Sequence, residues 1–320
     1  MLVKSVILAI TQYWMQCLPL PKSVIAKIDS LCRTFVCTGK VDASRKSPVA
    51  WNIVCRPKSQ GGQGIINLAT WNVITMMKCL WNLCKKSDNL WVKWVHMYYL
   101  KGNDIMTVQV STSCSWIFKR IMEMRGTVQQ MQVEWNRLLA SNRFNMSMLY
   151  NFLNDRIKKV DWRYLFYKNK ARPRAQFIAW LICHGKQATK DRLVRFNLIT
   201  DANCDLCRNC EESWDHLFFE CPSNYDIWNQ VLQWLSFAHR PLSWHDELQW
   251  IKQETSRKGS KAQLLKMAFA ETLYVLWNRR NNIIFNHSNS IDHVNIIIDA
   301  IVYKSWAYRK LRDYMAQLLL

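Results

Sequence analysis

Apolar residues recur three and four positions apart through most of this chain, the spacing that gathers one face of an α-helix. In "SVIAKIDSLCRTFV" they are Val24, Ile25, Ile28, Leu31, Cys32 and Phe35, which predicts a helix with a buried stripe. The stretch "CRPKSQGGQG" interrupts the pattern with Pro57, Gly61, Gly62 and Gly64. Helical period then resumes at Val73, Met76, Met77, Leu80, Trp81 and Cys84. Further on, "GNDIMTVQVSTSCS" reads as an exposed connection, "WIFKRIMEMRG" as a short amphipathic helix stopped by Gly126, and "MSMLYNFLNDRIKKVDWRYLF" as one or two helices.

From Ala171 the pattern sharpens. Pro173 suits the first turn of a helix that buries Phe177, Ile178, Leu181 and Ile182 and ends at Gly185. Thr189 is the expected N-cap of a short helix anchored by Leu193, Val194 and Phe196. Pro222 opens another, with Ile227, Trp228, Val231, Trp234 and Leu235 on its buried face. Two long helical patterns close the chain, one through Leu265, Phe269, Leu273, Leu276 and Trp277, the other from "HVNIIIDAIVYKSW" to Leu311 and Met315. These segments predict a mainly α, multi-helix fold with four regions, 1–100, 101–160, 161–236 and 237–320.

Composition supports helices over a turn-rich sandwich, since 320 residues include 8 glycines and 7 prolines against 17 tryptophans. The N-terminal apolar run is broken by Thr11 and Gln12, so it reads as a core helix and not as a signal peptide. No stretch reaches the ~20 apolar residues of a spanning helix. Eight of the 12 cysteines are scattered singly, at 17, 32, 37, 55, 79, 84, 114 and 183, as expected for free thiols in a reducing compartment. The expected location is intracellular, in cytoplasm or nucleus.

Net charge is +21, which points to a polyanionic partner, RNA or DNA. Its distribution is uneven. Residues 201–250 carry 2 basic and 9 acidic side chains, while 151–200 carry 12 and 3. In the basic stretch Arg163, Lys168, Lys170, Arg172, Arg174, Lys190, Arg192 and Arg195 are candidates for phosphate contacts, and Trp162, Tyr164 and Tyr167 for base stacking. A solvated helix face over buried aromatics explains the same pattern equally well.

The acidic stretch holds the remaining cysteines, in "CDLCRNCEESWDHLFFEC". Cys204 and Cys207 form C-x2-C, with His216 and Cys221 completing C-x2-C-x8-H-x4-C, a donor set suited to tetrahedral zinc. With all four positions filled by protein the ion would be structural, not hydrolytic. Ordinary buried thiols beside a surface histidine are the alternative. Cys210 makes a second C-x2-C with Cys207 and so either replaces Cys204 or stays unligated. A redox role is disfavoured by the flanking Asp205, Glu211, Glu212 and Asp215. Three thiolates and one zinc ion sum to −1, so nucleic acid would bind on neighbouring basic helices.

Catalytic signatures are missing. There is no Asp-Asp pair for two-metal chemistry, no P-loop, no GxSxG and no HExxH, and "KSQGGQG" lacks the Lys-Ser/Thr of a phosphate loop.

The run Trp180-Leu181, Thr189 to Leu193, Cys204-x-x-Cys207, Glu212-Ser213, His216-Leu-Phe218, Cys221 and Trp228 resembles the zinc-binding segment downstream of the reverse transcriptase in plant LINE-type (non-LTR) retrotransposons. "LPLPKSVIAKIDSLCRTFVCTG" and "VAWNIVCRPKSQGGQGIINLATWNVITMMKCLWNLC" are similar to the stretch that joins polymerase to zinc segment in those elements, and "LYVLWNRRNNIIF" to the run that follows. Gln63 and Cys37 depart from the family's usual Leu and Trp. The family's polymerase motif, Tyr-x-Asp-Asp, is absent, as are its endonuclease and ribonuclease H domains.

The resemblance implies a non-catalytic, zinc-binding, RNA- or DNA-binding fragment of a retroelement polyprotein. The alternatives are a zinc-stabilised protein-interaction module and an inert remnant of a decayed element.

Overall fold

The computed structural model describes residues 3–39, 48–154, 158–166, 168–256, 259–286 and 292–318. The described residues are mainly helical and form two compact units, Met1–Lys158 and Lys159–Leu320. No described helix is long and apolar enough to cross a membrane.

The first unit comprises α1 (Leu8–Cys17), α2 (Lys22–Thr38), α3 (Trp51–Val54), α4 (Leu68–Cys84), α5 (Leu90–Val95), α6 (Trp116–Gln130), α7 (Gln132–Ala140) and α8 (Met146–Asn154). Its centre is α4, which packs against α1, α2, α5, α6 and α8. Asn67 caps α4 by accepting from Thr70 N–H. Ile74, Met77, Leu80 and Leu83 are fully enclosed, so the helix buries far more than one stripe. Buried Asn72 holds the α1–α2 turn through reciprocal bonds with the Leu20 backbone at 2.9 and 3.0 Å.

Two expectations need correction here. Gly126 does not stop α6; Ile121, Met122, Met124 and Val128 sit on one buried face across it, and that packing outweighs a glycine cost of ~1 kcal/mol. On α2, Ile25 and Cys32 are buried but Val24 and Leu31 are exposed, so the stripe is narrower than the spacing suggested. In α1, likewise, Leu8 and Met15 are buried while Ile10, Tyr13 and Trp14 face outward.

The glycine loop closes on itself. Gly61 takes a left-handed φ of 83°, and a Cβ at Gly62 would lie 1.9 Å from the Arg56 carbonyl oxygen. The N–H groups of Gly62, Gln63 and Gly64 donate to the carbonyls of Pro57, Val54 and Arg56. A phosphate cradle needs those N–H groups pointing outward, so this is a turn.

The second unit comprises α9 (Arg163–Phe166), α10 (Pro173–Cys183), α11 (Lys190–Arg195), α12 (Pro222–Trp234), α13 (Trp244–Ser256), α14 (Ser260–Asn286), α15 (His293–Trp306) and α16 (Arg309–Leu318). Its centre is α14, which packs against α10, α12, α13, α15 and α16. Pro173 and Pro222 open their helices. The last pattern, continuous in sequence, divides at Ala307 and Tyr308 into α15 and α16. Leu311 and Met315 still reach the core. Phe219, Trp228, Trp244 and Phe269 form a ring cluster with centroids 5.5–6.3 Å apart. Phe219 comes from the cysteine-rich segment, which is therefore built into this core.

A candidate structural metal centre

The segment 201–221 folds as a tight loop followed by a wide turn. Cys204 N–H donates to Cys210 C=O at 2.8 Å and Arg208 N–H to Cys204 C=O at 2.8 Å, with Arg208 in the left-handed region at φ 58°. Asn203 and Glu211 pair as an isolated antiparallel bridge beneath it. His216–Glu220 then forms a π turn, in which Cys221 N–H reaches back to His216 C=O at 2.7 Å. This wide turn accommodates the H-x4-C spacing, and Leu217, Phe218 and Phe219 fill the core from it.

These backbone choices bring Cys204, Cys207, His216 and Cys221 together, with one donor atom of each within 4.8 Å of all the others. Cys204, His216 and Cys221 are buried, and Cys207 is half-buried. A tetrahedral ion with bonds of about 2.0–2.3 Å requires donor separations of about 3.3–3.8 Å. Cys207 Sγ and His216 Nε2 already stand 3.3 Å apart. Three sulfurs and an imidazole nitrogen, gathered within 4.8 Å, form a donor set that suits a tetrahedral zinc ion. Cys210 contributes its carbonyl to the loop, while its thiol is exposed and outside the group.

The electrostatics favour thiolate at Cys204. A hydrogen bond from Cys221 holds the Cys204 sulfur far below the usual thiol range, against the effect of burial and with help from the Cys207 and Leu206 N–H groups. The same bond, together with burial and the neighbouring sulfurs, pushes the Cys221 thiol up. Cys221 also sits at the N-cap of α12, where the helix dipole favours negative charge.

The walls of the loop are charged residues whose partners lie within the unit. Arg279 of α14 donates to Ser223 C=O, Ser223 Oγ and Asn224 Oδ1 at 3.1, 2.6 and 2.7 Å. Burial pulls Arg279 below the usual guanidinium range, and the nearby sulfurs of Cys221 and Cys204 oppose that pull. Arg280 grips the fully buried Glu212, and Glu212 Oε1 accepts Lys190 N–H at 3.0 Å. Thr189 therefore does not cap α11 with its side chain. Glu212 serves that end instead, while Thr189 Oγ1 donates to Asp191.

The eight basic candidates separate into two groups. Lys190 is buried and bonds Asp205 and Asp201 at 2.8 and 3.1 Å, securing the first turn of the loop. Arg172 pairs with the fully buried Glu271 at 2.7 Å. Arg192 donates to the carbonyls of Gly185 and Gln187. Lys170 lies 4.2 Å over the Tyr308 ring. Arg163, Lys168, Arg174 and Arg195 are exposed, with Arg195 paired to Asp191.

The aromatics of this stretch turn inward. Trp162 packs on Phe166 and His184, and Tyr164 donates its hydroxyl to Leu248 C=O. Tyr167 lies outside the described residues. Phe196, expected as an anchor, is exposed.

Residue patterns had not singled out Glu271, Arg279 or Arg280 as site residues. The available signal was Glu271 inside the apolar run 267–276, where an unpaired charge is costly; Arg279 and Arg280 lie in a polar run that marks no site by itself.

Residues 144–228 match the family model described as zinc-binding in reverse transcriptase. Over an alignment of 412 residues the chain is 20% identical to an Arabidopsis thaliana protein named "Putative ribonuclease H protein At1g65750". The alignment takes in 99% of this chain and 64% of that protein, so the chain spans less than two-thirds of the length of this relative. No solved structure matches the chain.

Proposed function

We propose that this chain is a non-catalytic, zinc-clasped, RNA- or DNA-binding part of a LINE-type (non-LTR) retrotransposon reverse transcriptase polyprotein. The observation that carries the reading is the convergence of Cys204, Cys207, His216 and Cys221, four protein donors, the number a tetrahedral shell needs. When bound there, zinc supplies a cross-link, replacing apolar core that the short loop lacks.

This chain's own residues transmit the cross-link to the helices around it. Lys190 fastens the loop's Asp205 to α11, Glu212 fixes the first N–H of that helix, and Arg280 secures Glu212 to α14. Arg279 places positive charge beside the sulfurs. Of the helices so held, α11 presents Arg195 to solvent; Arg174 is exposed on α10, which packs against α14, and Arg163 and Lys168 are exposed in the stretch leading into α10. Phosphate contacts there would be electrostatic and free of sequence preference.

The test is binding of the purified, zinc-loaded chain to labelled RNA and DNA across a salt series, run beside a primer-extension assay. The reading predicts affinity that falls steeply with salt and no nucleotide incorporation. Salt-insensitive binding or its absence would remove the nucleic-acid role, and measurable extension would remove the non-catalytic one.

A further inference from the structure

The first unit carries an aromatic ridge that its own packing does not require. Asn89 caps α5, accepting from Trp91 and Val92 N–H, and a π turn, His96–Leu100, continues the helix. Val92, Val95 and Leu100 are buried on one side. On the other, Leu90, Trp94, Met97 and Tyr98 stand 87, 48, 80 and 61% exposed. Trp94 and Tyr98 lie parallel, with centroids 5.3 Å apart and planes 7° from one another.

The pair is held in place from below. Trp94 and Tyr98 both meet Tyr99 edge-on, at 5.2 and 5.1 Å. Tyr99 stacks in turn on core Phe118 at 4.4 Å and accepts a hydrogen bond from Ser115 N–H. Such a base fixes the exposed rings before any ligand arrives, which lowers the entropy cost of binding.

The surroundings are cationic. An open concavity beside the ridge is lined by Lys86, Lys93, His96, Met97 and Lys101. Between Lys85 and Lys101 the sequence has four lysines against the single carboxylate of Asp88, which pairs with exposed Lys93 at 2.6 Å. Lys86 and Lys101 are exposed, and neither forms an ion pair among the described residues.

We propose that this ridge binds single-stranded nucleic acid, with an unpaired base on the Trp94–Tyr98 pair and phosphates along Lys86, Lys93 and Lys101. An aromatic face offered to solvent among lysines suits bases that are free to unstack; a duplex keeps its base faces covered. The proposal rests on the reading of this chain as a nucleic-acid binder, but places a contact on a unit separate from the zinc-clasped one.

Fluorescence anisotropy of the full chain with labelled oligothymidylate and with a duplex of equal length tests it. Trp94→Ala and Tyr98→Ala should each weaken single-strand binding by about fivefold or more. Trp94→Phe should retain most of the affinity, and duplex binding and the thermal midpoint should hold in all three. Replacing Lys86 and Lys101 by Gln should flatten the single-strand salt dependence by about 0.7 log units per log unit of salt for each lysine.

Unchanged single-strand binding in both alanine variants, an equal loss on duplex, or concentration-dependent self-association that the variants abolish would overturn the proposal. If Arg174→Ala weakens binding while Trp94→Ala does not, the ridge falls and the proposed function stands. If the parent chain binds no nucleic acid, that broader reading has failed.

Discussion

Arg280 and Glu212 form a buried bidentate pair, with Nη2 to Oε1 at 2.7 Å, Nε to Oε2 at 3.1 Å, and neither side chain more than 4% exposed. They come from the run after Trp277 and the loop after Cys207, so the pair joins two motifs 68 residues apart. Removing one partner strands the other charge, at a typical cost of ~3–5 kcal/mol. Urea unfolding should show a loss of that order for Arg280→Met. The double variant with Glu212→Leu should cost less than the sum of the single changes; full additivity would mean the two residues are not coupled.

Two glycines should respond to alanine in opposite directions. A Cβ at Gly62 collides with the Arg56 backbone at 1.9 Å, whereas one at helical Gly126 meets nothing within 4 Å. Gly62→Ala should destabilise the first unit by at least the upper end of the usual ~0.5–3 kcal/mol range. Gly126→Ala should stabilise it by ~0.5–1 kcal/mol. Thermal or urea unfolding of both variants checks the pair of signs.

Basic residues near the loop should divide between folding and binding. Lys190, buried between Asp201 and Asp205, should when changed to Ala lower stability with little direct effect on the salt slope of RNA or DNA binding. Arg174, exposed, should do the reverse, reducing the slope by ~0.7–0.9 if it meets one phosphate. Binding isotherms at several salt concentrations, paired with melting curves, separate the two effects.

Helix period was legible wherever a segment buries a contiguous face, as in α4, α10, α12 and α14. It overreached at Val24, Leu31 and Phe196, because periodicity marks residues able to be buried and does not count the partners available to bury them. Gly126 misled because local propensity yielded to packing on both sides of it. In the candidate centre, spacing named four residues that meet in space, since two thiols on one tight turn and two donors across one π turn are local facts. What it could not supply was Glu212 capping α11 or Arg279 beside the sulfurs. Those contacts span 22 residues to Lys190 and 55 to Asn224, and no pattern within a segment encodes them.

The central claim, a four-protein-ligand structural zinc clasp, is tested most directly by cobalt(II) substitution of the full chain, followed by absorption spectroscopy. The account predicts a tetrahedral thiolate spectrum that is lost in Cys204→Ser and retained in Cys210→Ser. Loss in Cys210→Ser with retention in Cys204→Ser, or no tetrahedral spectrum in the parent chain, would contradict it.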